Sequence, residues 1–212
     1  LNKFNELKEN YNLIQNNLCN FLHSYINELF DTNKEKIKIS DCIIKTEDSR
    51  KVAEGSSPYI EIGDVDLLDK SLKIKNKKSV KGSLLVKKNS ILVSTVRPSR
   101  GAIVKLSEDR IVSSAFAILQ ANLKVVTSDF LFHCLAWNNS FLNFTSRFAT
   151  GTTYPTITDE DIKKFKIPLL KISNQNIECK KLNEVYKQLK VCKKSLNEIV
   201  LLNKKIIYNF FK

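Results

Sequence analysis

Two sustained apolar patterns, one at each end of the chain, constrain its fold more than any other feature. Near the start, Phe4, Leu7, Tyr11, Ile14, Leu18, Phe21 and Tyr25 recur at alternating steps of three and four. Near the end, Leu182, Val185, Leu189, Cys192, Leu196, Ile199, Asn203, Ile206 and Phe210 do the same. This spacing is the narrow seam of a coiled coil rather than the wider stripe of an ordinary amphipathic helix. Neither Gly nor Pro interrupts either stretch. A helix with such a seam cannot bury it alone. Either the two helices pair antiparallel, as arms of a hairpin, or copies of the chain pair as a homodimer. The expected pairing residues are Leu7, Tyr11, Ile14 and Leu18 in the first helix and Val185, Leu189, Leu196 and Ile199 in the second. Ser173 is the expected N-cap of the second helix. Asn203 is the one polar seam residue, suited to fixing register, and Cys192 is expected to act as a small apolar filler.

The middle of the chain reads differently. Gly and Pro punctuate it, and its apolar runs are short and rich in β-formers. "PYIEIGDVDL" (58–67) alternates and then turns, and "GSLLVKKNSILVSTV" (82–96) gives two strands with a turn at Lys87–Ser90. "GAIVKLSEDRIVSSAFAILQ" (101–120) predicts a hairpin closed by Ser107–Arg110. A helical period returns through Phe130, Leu131, Leu135, Ala136 and Phe141, with Ser128 as cap. Thr158-x-x-Asp161 opens a short helix reaching Phe165, and "KIPL" beyond it is extended, as residues before proline are. The expected class is α+β: a sheet-rich domain over 37–172, flanked by stalk helices over 1–36 and 173–212 that form an antiparallel coiled coil.

An apolar fraction of 42% excludes wholesale disorder, and no apolar run approaches the ~18 residues of a membrane-spanning helix. The chain contains no Met, so it is expected to be a segment of a longer protein. Five cysteines without a C-x-x-C pair argue against a disulfide framework and a zinc site, and a reducing cytoplasm is the expected compartment. Net charge is +13, divided as −1 over residues 1–36, +8 over 37–172 and +6 over 173–212. Such an excess suits a polyanion, with nucleic acid first and an anionic membrane surface second, or it reflects a lysine-rich surface with no special partner.

No phosphate-binding glycine motif and no G-x-S-x-G is present. His23 lies within the first helix as an expected surface residue, which leaves few general bases. The acidic group Asp159, Glu160 and Asp161 suits a helix N-terminus, and Asp64, Asp66 and Asp69, which could bind a divalent cation, follow Gly63 and are expected to shape a turn. The chemistry that remains is binding. "TVRPSRGA" sets Arg97 and Arg100 three apart, in a chain with only five arginines, and guanidinium forks suit guanine edges and phosphates. "SRFATGTTYPT" offers Arg147, Thr150, Thr152, Thr153 and Tyr154 as donors and acceptors. Tyr154, before Pro155, is expected to be extended with its ring outward. Lys73, Lys75, Lys77, Lys78, Lys87 and Lys88 are candidate phosphate contacts. No cofactor and no metal is expected.

The order "SPYIEIGDVD", "GSLLVKKNSILVSTVRPSRGA", "IVSSAFAIL" and "ATGTTYPTITDEDIKKFKIPLL", then "NQNI" into a long helix, resembles a target-recognition domain. The family is the specificity subunits of type I restriction–modification systems, and the resemblance covers nearly the whole chain. It implies a non-catalytic subunit that reads one half of a bipartite site on double-stranded DNA and uses paired helices as a ruler. It also implies docking to methyltransferase subunits and, through them, to the restriction subunit, with no membrane involved. The implied DNA-binding residues are Lys87, Lys88, Arg97, Arg100, Arg147, Thr152, Thr153 and Tyr154. One recognition domain is present where the full pattern has two. The chain thus matches half of a full subunit, a half-length subunit that dimerises, or the specificity module of a fused type IIG-like enzyme. The alternative is a coiled-coil protein-interaction scaffold without specific DNA binding.

Overall fold

The computed structural model describes residues 2–44 and 50–210. Helix α1 (Asn2–Thr32) and helix α6 (Ile172–Phe210) run 31 and 39 residues without a helix breaker. They pack on each other within one chain, and they do so antiparallel. Tyr25 hydrogen-bonds Glu178, while the Cys192 thiol reaches the Tyr11 carbonyl at 3.5 Å. A step of fourteen residues along one helix is thus matched by fourteen backward along the other. The same register continues into the body. Strand β1 (Lys36–Lys38) pairs antiparallel with β10 (Lys166–Pro168), Lys36 opposite Pro168. Leu169 N donates to Glu35 O at 2.9 Å to close this neck, and the four-residue helix α2 (Ile39–Cys42) follows β1.

Leu182 and Leu189 are fully buried and Cys192 is buried, whereas Val185, Leu196 and Ile199 are half-buried. The first helix departs from expectation. Leu7, Ile14 and Phe21 are 41%, 48% and 47% exposed, so Leu7 and Ile14 do not form the floor of the seam. Its buried stripe runs instead through Gln15, Cys19, Leu22, Ile26 and Phe30, with Tyr11 and Leu18 half-buried beside it. The cause is a second neighbour. From Cys19 onward α1 packs on the globular body as well as on α6, with Phe30 5.9 Å from Phe165 and His23 edge-on to Trp137. His23 is therefore half-buried rather than on the surface. Ser173 lies one residue inside α6 and does not cap it. Gln175 serves that end, donating to Leu170 O and Val125 O and accepting from Thr127 N.

Two four-stranded sheets make the body. One has the order β2 (Ile43–Ile44), β9 (Phe116–Ala121), β6 (Ile91–Ser94), β7 (Ile103–Lys105). The other has the order β3 (Arg50–Lys51), β5 (Leu84–Val86), β8 (Arg110–Val112), β4 (Tyr59–Ile60), with β4 parallel to β8. The expected hairpin closed at Ser107–Arg110 is not formed, because β7 pairs with β6 and β8 with β5. Leu84 faces Val112, Val86 faces Arg110, Ile91 faces Lys105 and Val93 faces Ile103. All four pairs share one register. Residues 84–112 are therefore a single long hairpin, bent where it passes from one sheet to the other. The two stretches that look like turns mark the bend, with Asn89 at φ 66° and hydrogen bonds from Asn89 N to Leu106 O and from Leu106 N to Ser90 O. The true chain reversal is the arginine-bearing loop.

Both faces of this hairpin are covered, which explains the unbroken "ILV" of β6. Ile91 and Val93 face the main core with α3 (Ser128–Ala136), while Leu92, Val104 and Val112 face a smaller one with Ile60 and Val65. The single helix expected after residue 127 is two, α3 and α4 (Asn139–Phe148). Thr127 rather than Ser128 caps the first, and Asn138 caps the second. Phe130 through Ala136 are all buried. Within α3, His133 hydrogen-bonds Asn183 of α6 at 2.8 Å, and burial holds its pKa down at about 4, so the ring is neutral at physiological pH. Thr158 caps the short α5 (Asp159–Lys163), accepting from Asp161 N. Among the described residues no helix is long and apolar enough to cross a membrane.

Leu189→Ala should lower unfolding free energy by about 2–5 kcal/mol, as for a fully buried leucine, whereas Leu7→Ala should cost less than about 0.5 kcal/mol. Urea unfolding followed by circular dichroism checks both. Equal costs would restore Leu7 to the seam.

Candidate nucleic-acid interface

The reversal of the long hairpin places its arginines at an exposed end. Ser94 N donates to Ala102 O at 3.0 Å, the last rung before the loop. Arg97 then adopts a left-handed conformation (φ 48°, ψ 54°), Pro98–Arg100 form one 3-10 turn, and Gly101 exits at φ 68°. A side chain at Gly101 would meet Leu142 of α4 at 3.2 Å and the Lys70 ammonium at 3.4 Å, so glycine is needed for room as well as for backbone angle. Pro98 is buried, and Arg100 points to solvent.

The segment Gly151–Pro155 forms a second loop, pinched shut by reciprocal 2.8 Å hydrogen bonds between Thr150 and Thr156. Backbone bonds stitch the two loops together. Arg97 N donates to Pro155 O at 2.7 Å, and Ile157 N to Thr95 O at 2.9 Å. Side chains complete the join. The Arg97 guanidinium lies 4.5 Å from the centre of the Tyr154 ring and donates through Nη2 to Thr153 O at 3.2 Å. Tyr154 is still 64% exposed, and Thr152 and Thr153 are exposed. The Gly-Thr-Thr-Tyr-Pro-Thr segment thus acts as a bracket for an arginine, holding that guanidinium in one place by a cation–π contact and a hydrogen bond.

A recess of about 340 Å³ opens beside this pair, walled by Ile62, Val65, Leu67, Val96 and Ala102 and rimmed by Arg97, Arg100 and Tyr154. Part of its wall comes from the segment after β4, a contribution the sequence gives no sign of because the two segments are distant in the chain. Apolar walls beside paired guanidinium groups match a base edge that mixes a methyl group with acceptors. Arg147 is exposed on the last turn of α4, which leads into the second loop. Lys87 and Lys88 stand apart. They sit at the bend of the hairpin, about 20 Å of strand from the arginine loop, and both contact Asp109: Lys87 by an ion pair at 3.0 Å, Lys88 through its backbone N–H. That backbone bond and then the Lys87 ammonium hold the Asp109 carboxyl below the usual range. Lys77 and Lys73 are likewise paired, with Asp64 and Asp66 at 2.9 Å each. Lys75 and Lys78 are exposed. Asp64, Asp66 and Asp69 therefore meet lysines of the same chain. Among the described residues no group of three or more His, Cys, Asp or Glu is placed to hold a metal ion.

Residues 19–201 match the family described as the type I restriction modification DNA specificity domain. Solved structures agree in fold. The HsdS subunit from Thermoanaerobacter tengcongensis superimposes with a TM-score of 0.61 at 20% identity, over 76% of this chain and 44% of that one. The S subunit of a type I restriction-modification system from M. genitalium gives 0.66 at 15% identity, over 96% and 56%. A chain from a type I R-M system studied for its complex assembly and conformational transition gives 0.56 at 18% identity, over 84% and 46%. The chain thus spans about half the length of these structures.

Tyr154→Ala should release the Arg97 guanidinium while leaving unfolding free energy within about 0.5 kcal/mol. ¹⁵N relaxation of the Arg97 side chain should report a lower order parameter. An unchanged value would show that the ring does not hold it.

Proposed function

The chain belongs to the type I restriction modification DNA specificity domain family, and on that footing we propose that it reads one half of a split site on double-stranded DNA. The observation that carries this reading is the stitched loop pair. It offers one bracketed arginine (Arg97), one exposed arginine (Arg100), and Thr152, Thr153 and Tyr154 beside an apolar-walled recess. Arg100 is the candidate for a bidentate contact to guanine in the major groove. Arg147, Lys75, Lys78 and the Lys88 ammonium supply phosphate contacts that place the loops without reading sequence. Lys73, Lys77 and Lys87 reach phosphate only by giving up carboxylate partners. In this reading residues 37–172 are the reader, residues 1–36 and 173–212 are arms of a ruler between half-sites, and the chain breaks no covalent bond itself. Its five free, buried cysteines suit a reducing cytoplasm.

The ruler is also the proposed docking face for methyltransferase subunits, and through them for the restriction subunit. The exposed Leu7, Ile14 and Phe21 recur every seven residues along α1, and Ile177 and Val191 lie exposed on α6. Between the helices Tyr11, Ile14 and Leu18 line a groove of about 340 Å³ with Gln188 and Val191. A partner helix laid along this stripe would cover what one helix pair leaves bare.

Selection from a duplex pool with a randomised core should enrich one short sequence. Arg100→Ala should then cost about 1–3 kcal/mol on the enriched duplex and little on the unselected pool. Equal losses on both would make Arg100 a backbone contact, and no enrichment at all would favour the scaffold reading. Separately, Ile14→Glu combined with Val191→Glu should abolish co-purification with the methyltransferase subunit while the enriched duplex is still bound. Retained co-purification would place the docking face elsewhere.

A further inference from the structure

Behind the arginine loop lies a buried lysine that neither DNA contact nor surface charge explains. Lys70 is 5% exposed and adopts a left-handed backbone (φ 52°). Its ammonium donates to the carbonyl of Gly101 at 2.9 Å and lies 5.6 Å from the Trp137 ring. A methionine would fill similar space without the cost of burying a charge. What the lysine adds is a directed, charge-assisted hydrogen bond to the residue that ends the Arg97–Arg100 turn.

The other side of Lys70 is tied to the stalk. Its own carbonyl accepts from the Tyr186 hydroxyl of α6 at 3.3 Å. The preceding Asp69 accepts from the Lys193 ammonium of α6 at 2.9 Å, and Lys193 also pairs with Asp66 at 2.5 Å. The Cys19 thiol of α1 reaches Leu68 O at 3.8 Å. Asp66 braces the turn internally by accepting from Leu68 N and Asp69 N. Burial alone would raise its carboxyl, but the Lys193 and Lys73 ammonium groups outweigh that and hold it well below the usual range. The tight turn 66–71 is therefore gripped by both stalk helices and hands a single side chain forward to the loop.

We propose that Lys70 is a positioning residue, through which the α1–α6 pair sets the pose of the Arg97–Arg100 turn. This rests on the reading that the turn contacts DNA, and it adds a route by which anything that shifts the helix pair alters sequence discrimination. The route runs from Lys193 through Asp69 and Lys70 to Gly101, with no side chain of the stalk touching DNA.

The charge on Lys70 supplies a readout that simple packing does not. Burial lowers its pKa to about 8, with Cys19, Asp66 and Asp69 opposing the shift. The other titratable or charged groups around it are His23 from α1, Tyr186, Lys190 and Lys193 from α6, Lys105 from β7 and Arg110 from β8. Between about pH 8 and the ordinary lysine range near 10.4 the unfolded chain binds more protons than the folded one. Deprotonation of Lys70 therefore raises fold stability with pH while it weakens the hold on Gly101. Stability and discrimination move in opposite directions.

The test uses the full chain, the duplex enriched from the randomised pool and the unselected pool as reference. The ratio of the two affinities for the unmodified protein should fall several-fold from about pH 7 to about pH 9, with no loss of thermal stability. Lys70→Met should show a ratio lowered about tenfold and flat across that range, with pool affinity within about twofold of the parent. Lys193→Met should lower the ratio as well, and the double variant should be no worse than Lys70→Met alone. The inference is overturned if Lys70→Met keeps the parental ratio. It is equally overturned if losses on both duplexes simply track a lower melting temperature. A flat profile for the unmodified protein also overturns it, and that arm stands even if Lys70→Met does not fold. Arg100→Ala separates the two levels: if it leaves the ratio intact, the DNA-reading role of the turn itself has failed.

Discussion

The structure depends on a single antiparallel register that runs from the stalk into the body. Tyr11 lies against Cys192, Tyr25 against Glu178, and Lys36 against Pro168, so both arms change from helix to strand at the same level. This is a strong constraint. An α-helix rises 1.5 Å per residue and a strand about 3.3 Å, so arms that switched at different points would lose register within a turn. The chain between residues 39 and 165 is consequently an insertion whose two ends are clamped together. Its internal contacts are free to specialise because its attachment is fixed elsewhere.

The bent hairpin is the second economy of the fold. One pair of strands serves two sheets and two cores, with alternate residues of β6 committed to each. The bend needs a residue with positive φ, and Asn89 supplies it, as asparagine does more readily than most residues. Because the hairpin is anchored on both sides of the bend, its tip can carry left-handed Arg97 and Gly101 without loosening the sheet. Backbone conformations of this kind persist only where the surroundings over-determine them. Here those surroundings are α4 behind the tip and the 150–157 segment beside it.

These features were unevenly legible in the sequence. The second seam is plain because its apolar residues Leu182, Leu189 and Cys192 are buried at the seam positions themselves, while α6 reaches the body through neighbouring polar groups of Asn183, Tyr186 and Lys193. The first seam is displaced because Cys19, Leu22, Ile26 and Phe30 also serve the body, and because buried Gln15 is invisible to a count of apolar residues. The strands themselves were legible, but their pairing was not. "KKNS" and "SEDR" carry turn chemistry that the fold spends on a bend, and local composition does not distinguish a bend from a reversal. The arginine loop and the Gly-Thr-Thr-Tyr-Pro-Thr loop stood out by residue type. Their joining through Arg97 N and Pro155 O, the wall from Ile62 to Leu67, and Lys70 beneath them are non-local and leave no pattern in the chain.

On the proposed reading, charge distribution separates affinity from discrimination. The net charge of +13 suggests a broad field for a polyanion, yet Lys73, Lys77, Lys87 and Lys193 are occupied by carboxylates of the same chain. Those pairs are not equivalent. The Lys87–Asp109 pair is exposed on both sides, so exchanging the carboxylate for a phosphate costs little. Lys193 and Asp69 are mostly buried between stalk and body, where breaking one partner strands the other. The exposed pairs thus hold charge that a passing phosphate can borrow, whereas the buried pair is committed to geometry. A surface built this way gains salt-sensitive attraction from residues that do not fix the pose of the arginine loop, and it holds that pose with residues that salt hardly reaches.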